Sequence, residues 1–321
     1  MKYGKVPGID KKVSRLVQGT IMVRPENKAE TFPLLDAVYA AGCTTFDTAR
    51  IYCGGTNERA VGEWVNSRGI REEVVIIGKG AHHSDRKRVT PPDIDDDIRK
   101  GLAEFGFDYI DIYILHRDDP DVPVGPIVEC LNAHRAAGRI RAFGGSNWTH
   151  ERVAEANEYA GKHGLTPFVA SSPNLSLADQ KKEPWPNCIT ISGPANKAAR
   201  KWYAKSKLAL FTWSSLAGGF FSGRFKRAGG GDSAQYFDKL VLDCYCSDDN
   251  FTRLERAEEL GREKSLTLPQ VALAYVLSQP MNIFALVGCR TADEFSANAK
   301  ALEVKLTKAE MAWLDLEKDS R

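Results

Sequence analysis

The feature that most constrains this chain is the alternation of two apolar patterns along its length. Short β-branched runs recur near 16–19 and at 44–47, 74–79, 111–115, 140–144, 168–171, 208–213 and 283–287. Several are almost continuously apolar, as strands buried on both faces of a parallel sheet must be. Longer segments with helical spacing lie between them. Segment 31–41 carries Leu34, Leu35, Val38 and Ala41, the i, i+3, i+4, i+7 stripe of a helix with one buried face. Segments 58–67, 92–105, 124–137, 150–163, 195–205, 251–264 and 291–302 complete eight helices for eight strands.

A strand leading to a helix eight times suits a closed barrel or a doubly wound sheet. Two observations favour the barrel. No Gly-x-Gly-x-x-Gly follows the first strand, so the dinucleotide fingerprint of the open sheet is missing. The units also succeed one another without a linker or a shift in composition. The expectation is an α/β fold, a single (β/α)8 TIM barrel over residues 1–321 with long loops at its C-terminal face. A chain of 321 residues suits such a barrel, whose usual size is roughly 250 residues before insertions. The least regular stretch, 223–250, has Gly229-Gly230-Gly231 at its middle and reads as a mobile lid or as a surface insertion.

Composition removes several functions. A net charge of +2 with 27% charged residues describes an ordinary soluble surface. The patch Asp85-Arg86-Lys87-Arg88 reads as a solvated loop, so no nucleic-acid partner is expected. The N-terminus lacks the apolar stretch of a signal peptide, and no window of about 18 apolar residues occurs, so no membrane association is expected. The seven cysteines are odd in number and scattered, which fits reduced thiols in the cytoplasm. The six histidines form no H-x-H or H-E-x-x-H, and Cys244 and Cys246 have no second ligand pair nearby, so no metal is expected. Nothing in the sequence specifies an oligomeric state.

In a barrel the active site lies at the C-terminal ends of the strands. The run 44–47 ends in Asp47, and Tyr52 follows in its loop. The run 74–79 ends in Lys79. His116 follows 111–115, and Ser146-Asn147 follows 140–144. Each alone suits a surface residue; closing the barrel gathers them around one mouth. Tyrosine is a weak acid, with a reference pKa of about 10. A lysine beside it favours the phenolate, and a carboxylate beside the lysine holds that charge in place. Asp47, Lys79 and Tyr52 together make a proton donor, and His116 can hydrogen-bond a carbonyl oxygen. The set supplies no nucleophile. Its missing partner is a hydride donor, which must be a cofactor. The bland alternatives are a structural Asp47–Lys79 ion pair and a satisfied strand-end His116.

These residues resemble the aldo-keto reductase family. Thr45-Phe46-Asp47-Thr48-Ala49-Arg50-Ile51-Tyr52 is similar to its FDTA-x-x-Y signature, followed by Gly54-Gly55-Thr56-Asn57-Glu58 and Val61-Gly62. Segment 108–116 (DYIDIYILH) resembles the strand bearing its histidine, and 74–79 the strand bearing its lysine. Segment 138–147 (GRIRAFGGSN) is similar to its GKIR-x-x-G-x-SN motif. Ser214-Ser215-Leu216-Ala217-Gly218-Gly219 and Gly288-Cys289-Arg290-Thr291 with Asn298 resemble its cofactor-binding segments. The match runs in family order from about residue 14 to 316.

The resemblance implies a (β/α)8 barrel that transfers hydride from NADPH, less often NADH, to a small-molecule carbonyl, or back from the alcohol, without metal. It places Asp47, Tyr52, Lys79 and His116 on the catalytic tetrad, with Tyr52 as proton donor. It places Ser146 and Asn147 on the nicotinamide amide, with Asp47 close by, and Trp213 against the nicotinamide ring. Gly19 and Thr20 fall on the turn beneath that ring. Ser214, Leu216, Gly218 and Gly223 fall on the pyrophosphate loop. Gly288, Arg290, Glu294 and Asn298 fall at the adenosine half, where Arg290 can pair with a 2′-phosphate.

Some positions depart from the family pattern. Ser172 stands where a glutamine usually holds the nicotinamide. Cys53 stands where glycine is common, and Ser215 replaces a common proline. Glu294 disfavours a phosphate and leaves NAD open, while Arg290 argues for NADP, which is placed first. Met22, Tyr52, His116 and Trp148 are expected to line the substrate pocket, with Phe220, Phe221 and Trp185 as further candidates; Trp185 equally suits plain packing. A sugar or other hydroxylated carbonyl is the expected substrate, and a hydrophobic ketone or aromatic aldehyde the alternative. A different class of function also fits the motifs: a cofactor-binding regulatory subunit of the same fold with little turnover.

Overall fold

Hydrogen bonding between parallel strands closes the sheet on itself in this computed structural model, which describes residues 1–227 and 235–321. The strands are β3 (Leu16–Gly19), β4 (Thr45–Asp47), β5 (Val75–Gly80), β6 (Ile110–Leu115), β7 (Ile140–Ser146), β8 (Ala170–Ser172), β9 (Ala209–Thr212) and β10 (Asn282–Val287). They run β10-β3-β4-β5-β6-β7-β8-β9 around a closed barrel. The doubly wound alternative is thereby excluded. Closure leaves no exposed sheet edge to manage.

Strand alternation separates two apolar layers. Val17, Val75, Ile77, Ile112, Ile114, Ala142, Phe211 and Phe284 fill the barrel interior, where the Phe211 and Phe284 rings stack with centroids 4.8 Å apart. Leu16, Phe46, Ile76, Tyr113 and Phe143 point outward into the layer under the helices. The helices read from the sequence appear as α1 (Lys28–Ala40), α2 (Asn57–Arg68), α3 (Pro91–Phe105), α4 (Val124–Ala136), α5 (His150–Lys162) and α6 (Lys197–Ser206). No helix among the described residues is long and apolar enough to cross a membrane.

Three parts of the sequence reading need correction. An antiparallel hairpin, β1 (Tyr3–Val6) and β2 (Ile9–Ser14), precedes the barrel and plugs its N-terminal end with Val6 and Val13. Between β9 and β10 lie α7 (Tyr236–Tyr245), α8 (Asp248–Lys264) and α9 (Leu268–Leu277), where a single helix was expected. Helix α9 is apolar on nearly every side because it is buried on nearly every side, so it has no stripe to read. Helix α7 falls inside the stretch 223–250 read as irregular. Its Asp238 accepts both Arg224 guanidinium bonds at 3.0 Å, which ties it to the preceding loop. The glycine triplet at the centre of that stretch lies outside the described residues. Helices α10 (Ala292–Ala299) and α11 (Lys308–Leu314) complete the chain.

Candidate active site

The alternation that fills the barrel also builds its mouth. Val75 and Ile77 point inward, so Lys79, two residues on, projects from the same face at the C-terminal end of β5. The same count leads from Ile112 and Ile114 to His116, from Ala142 to Ser146, and from Ala170 to Ser172. Asp47 ends β4 facing Lys79, because Phe46 before it points outward. Tyr52 opens a short 3-10 turn, Tyr52–Gly55. Cys53 in that turn has a left-handed backbone (φ 52°, ψ 41°), which accounts for the glycine expected there. Its thiol donates to the Ile21 carbonyl at 2.9 Å.

All four proposed catalytic residues come together. Lys79 Nζ lies 2.5 Å from Asp47 Oδ1, and both side chains are buried. The same ammonium lies 5.0 Å from the centre of the Tyr52 ring. The Tyr52 and His116 rings meet edge to face, 5.9 Å apart at 82°. Burial pushes the Asp47 carboxyl up and the Lys79 ammonium down, and their mutual attraction opposes both shifts. Burial also lifts Tyr52 well above its ordinary 10; the Asp47 charge and hydrogen bond add to this, and Arg117 opposes it. The expected lowering by Lys79 is therefore corrected. Asp47 absorbs the lysine charge and itself bonds the phenol, so Tyr52 keeps its proton. Burial holds His116 well below 6.5, helped by the charges of Lys79 and Arg117 and by His82. A neutral imidazole offers one donor and one acceptor. His116 Nδ1 is buried without a partner among the described residues.

The nicotinamide candidates form one network at the ends of β7, β8 and β9. Ser146 Oγ donates to the Ser172 carbonyl at 2.8 Å, and Ser172 Oγ to the Phe211 carbonyl at 2.7 Å. Asn147 adopts φ 59°, donates to Ser146 Oγ at 3.2 Å and accepts from the Ile189 N–H at 3.0 Å. Ser172 thus spends its proton inside the protein and is left to accept. The Trp213 indole N–H is buried without a partner among the described residues. Thr20 is fully buried and donates to the Asp47 carbonyl at 2.8 Å, so it braces the turn that begins at Gly19.

After β9 the backbone is left-handed at Ser214 (φ 50°), Ala217 (53°), Gly218 (65°), Gly219 (105°) and Gly223 (83°), with Leu216 in the same turn. Such runs aim successive N–H groups into concavities that suit anions. After β10 come the exposed Gly288 and Arg290; Arg290 makes no side-chain ion pair among the described residues. Glu294 accepts the Arg290 backbone N–H at 2.7 Å, while Thr291 caps α10 by accepting the Glu294 N–H at 3.1 Å. Asn298 Nδ2 lies 3.3 Å from Cys289 Sγ. Unpaired buried nitrogens, an anion cradle and an unpaired guanidinium fit a nicotinamide dinucleotide.

Comparison with known proteins agrees. The sequence profile of the aldo/keto reductase family matches residues 15–316. The chain belongs to the aldo/keto reductase family. It is 30% identical over 301 residues to the norsolorinic acid reductase of Emericella nidulans, covering 88% of this chain and 70% of that one. It is 27% identical over 310 residues to an aryl-alcohol dehydrogenase [NADP(+)] of Phanerodontia chrysosporium, covering 90% and 76%. A thermostable aldo-keto reductase solved with the inhibitor epalrestat shares the fold at a TM-score of 0.76 and 20% identity, over 99% and 100% of the two chains. This aldo/keto reductase is an NAD(P)H-dependent oxidoreductase of carbonyl compounds.

The substrate side differs from the sequence reading. Trp148 is 1% exposed, packs on Phe168 and donates to the Arg117 carbonyl at 3.1 Å, so it stands behind the site. Phe220 and Phe221 are also fully buried in the core. Met22 remains at the mouth, 51% exposed, beside the exposed Ile21 and Ile51. Trp185 lies 6.4 Å from Trp213 and donates to Tyr236 Oη at 2.8 Å. The sequence reading missed Arg117 and His82, whose ring meets His116 at 4.8 Å. Arg117 directly follows His116, but its acidic neighbours Asp118 and Asp119 disguise it as part of a solvated loop.

Proposed function

We propose that this chain reduces an aryl or otherwise apolar aldehyde or ketone using NADP(H), with Tyr52 as proton donor. The buried Asp47–Lys79 pair, at 2.5 Å beneath the Tyr52 ring, carries the reading. When bound, the reduced dinucleotide supplies the hydride. Tyr52 and the neutral His116 face one another across the space where a carbonyl oxygen is polarised. Tyr52 gives its proton to that oxygen as negative charge develops there. Lys79 follows the charge change, and Asp47 keeps the lysine in place. Ser146, Asn147, Ser172 and Trp213 hold the nicotinamide, the loop 214–223 the pyrophosphate, and Gly288, Arg290, Glu294 and Asn298 the adenosine half. NADP is placed before NAD because the Glu294 carboxylate is engaged by the Arg290 backbone N–H, while the Arg290 guanidinium has no ion pair among the described residues. An apolar substrate replaces the hydroxylated one because Ile21, Met22 and Ile51 are exposed at the mouth. The names of the two relatives support the same class.

The test is a titration with NADPH and with NADH followed by tryptophan quenching, then a screen of aryl aldehydes at saturating cofactor. Saturable NADPH binding with steady turnover supports the reading. Tight binding without turnover supports the regulatory alternative.

A further inference from the structure

Among the described residues, Arg117 is the one buried cation beside the tetrad that the mechanism leaves idle. It is 5% exposed, and it forms no ion pair among the described residues. The acids that follow it are already taken: Asp118 by Arg152 at 3.3 Å and Asp119 by Lys87 at 2.6 Å. Its single side-chain hydrogen bond among the described residues runs from Nη1 to the His116 carbonyl at 2.9 Å. Trp148 pins the Arg117 carbonyl, and Asn147 donates to the His116 carbonyl at 3.3 Å, so the turn is held from two sides. The guanidinium charge is felt at Tyr52, His116, His82 and Cys188. Burying a charge without a counter-charge is costly. A guanidinium held that way has the two-pronged geometry that matches a carboxylate.

The cofactor's phosphates are poorly placed to be that partner. The adenosine-side residues follow β10, which stands four strands from β6 in either direction around the closed barrel, and the pyrophosphate loop follows β9, three strands from the β6 that leads to Arg117. Arg290 already serves that side.

We propose that Arg117 recognises a carboxylate on the carbonyl substrate, making this enzyme a reductase of acidic aryl or apolar aldehydes and ketones. The inference rests on the reductase reading above. Arg117 is a specificity residue: it fixes the substrate's charged end so that the carbonyl meets Tyr52 and His116.

The experiment compares kcat/KM for 3- and 4-carboxybenzaldehyde with the matching carbamoylbenzaldehydes, which have nearly the same shape and no charge. The carbamoyl group is the more electron-withdrawing, so intrinsic reactivity works against the expected preference. The wild type should favour a carboxylated member by about thirty-fold, the worth of one hydrogen-bonded charge pair. That ratio should fall towards one in Arg117→Met and recover in part in Arg117→Lys. It is taken within one protein sample, so loss of folded material cancels. Benzoate should likewise inhibit the wild type far better than benzamide. Turnover of the neutral aldehydes with no preference overturns the role of Arg117 and leaves the reductase reading intact. So does an Arg117→Met variant that keeps the ratio and loses only NADPH affinity. No turnover of any carbonyl removes both.

Discussion

Tyr52 and Arg290 carry the two predictions that belong to single side chains. Burial and Asp47 hold the Tyr52 proton in place, so Tyr52→Phe removes the transferable proton and almost no volume. Carbonyl reduction should fall by about 10²–10⁴-fold, the usual worth of a positioned acid, while NADPH still quenches tryptophan fluorescence with its wild-type midpoint. Wild-type turnover in that variant would assign the proton to another group. Arg290→Ala deletes an exposed cation whose side chain has no ion pair among the described residues. It should weaken NADPH by about ten-fold or more and NADH little, because a guanidinium–phosphate bond discriminates only where the phosphate exists. Equal weakening of both cofactors would show that Arg290 does not read the 2′-phosphate.

Helices α2 and α3 meet at a glycine, and the contact tests how tightly the outer layer is packed. A Cβ on Gly62 would stand 2.2 Å from the Phe105 carbonyl oxygen, a backbone atom that cannot swing aside. Gly62→Ala must push the helices apart and should cost about 1–3 kcal/mol or more, read as a lower urea midpoint. The same helix α2 carries Glu58, buried and 2.5 Å from Arg50. Burial raises its carboxyl from the ordinary 4.5 to about 7, against the pull of Arg50. The folded state therefore binds a proton that the unfolded chain releases between those values. Glu58 contributes most below about pH 4.5, and that contribution is lost as the pH rises through about 7. Thermal melts from pH 5 to 8 should show this decline in the wild type and a flatter profile in Glu58→Gln.

Across the whole molecule the two ends of the barrel have different work. Polar residues at the C-terminal mouth are those the proposed chemistry uses, and those at the N-terminal end hold the hairpin plug. Asp111, at the start of β6, takes Lys11 of the hairpin at 2.9 Å, Arg71 at 2.8 Å and the Ile76 N–H at 3.0 Å. Asp111→Asn leaves both cations without their anion and should cost about 3 kcal/mol. The folded fraction should keep the wild-type kcat/KM, since the change lies at the far end of the strands. Loss of activity out of proportion to loss of folded protein would show that the two ends are coupled.

The chain by itself determined the barrel, because a period of two and a period near 3.6 are local properties that survive in a string of letters. The β3–β10 runs, the first six helices and the ends at Asp47, Lys79, His116 and Ser146 were legible for that reason. The hairpin and α9 were not. The hairpin has little apolar contrast, and α9 is apolar all round, so neither carries a period. Only the tertiary structure decided which side chains face the mouth. Trp148, Phe220 and Phe221 looked like pocket walls and are core, because burial depends on what packs opposite. The proton affinity of Tyr52 was likewise undecided until Asp47 was seen to spend Lys79's charge. Arg117 became visible only when Asp118 and Asp119 were found paired elsewhere. An ion pair is a property of distances in space, and spacing along the chain does not contain it.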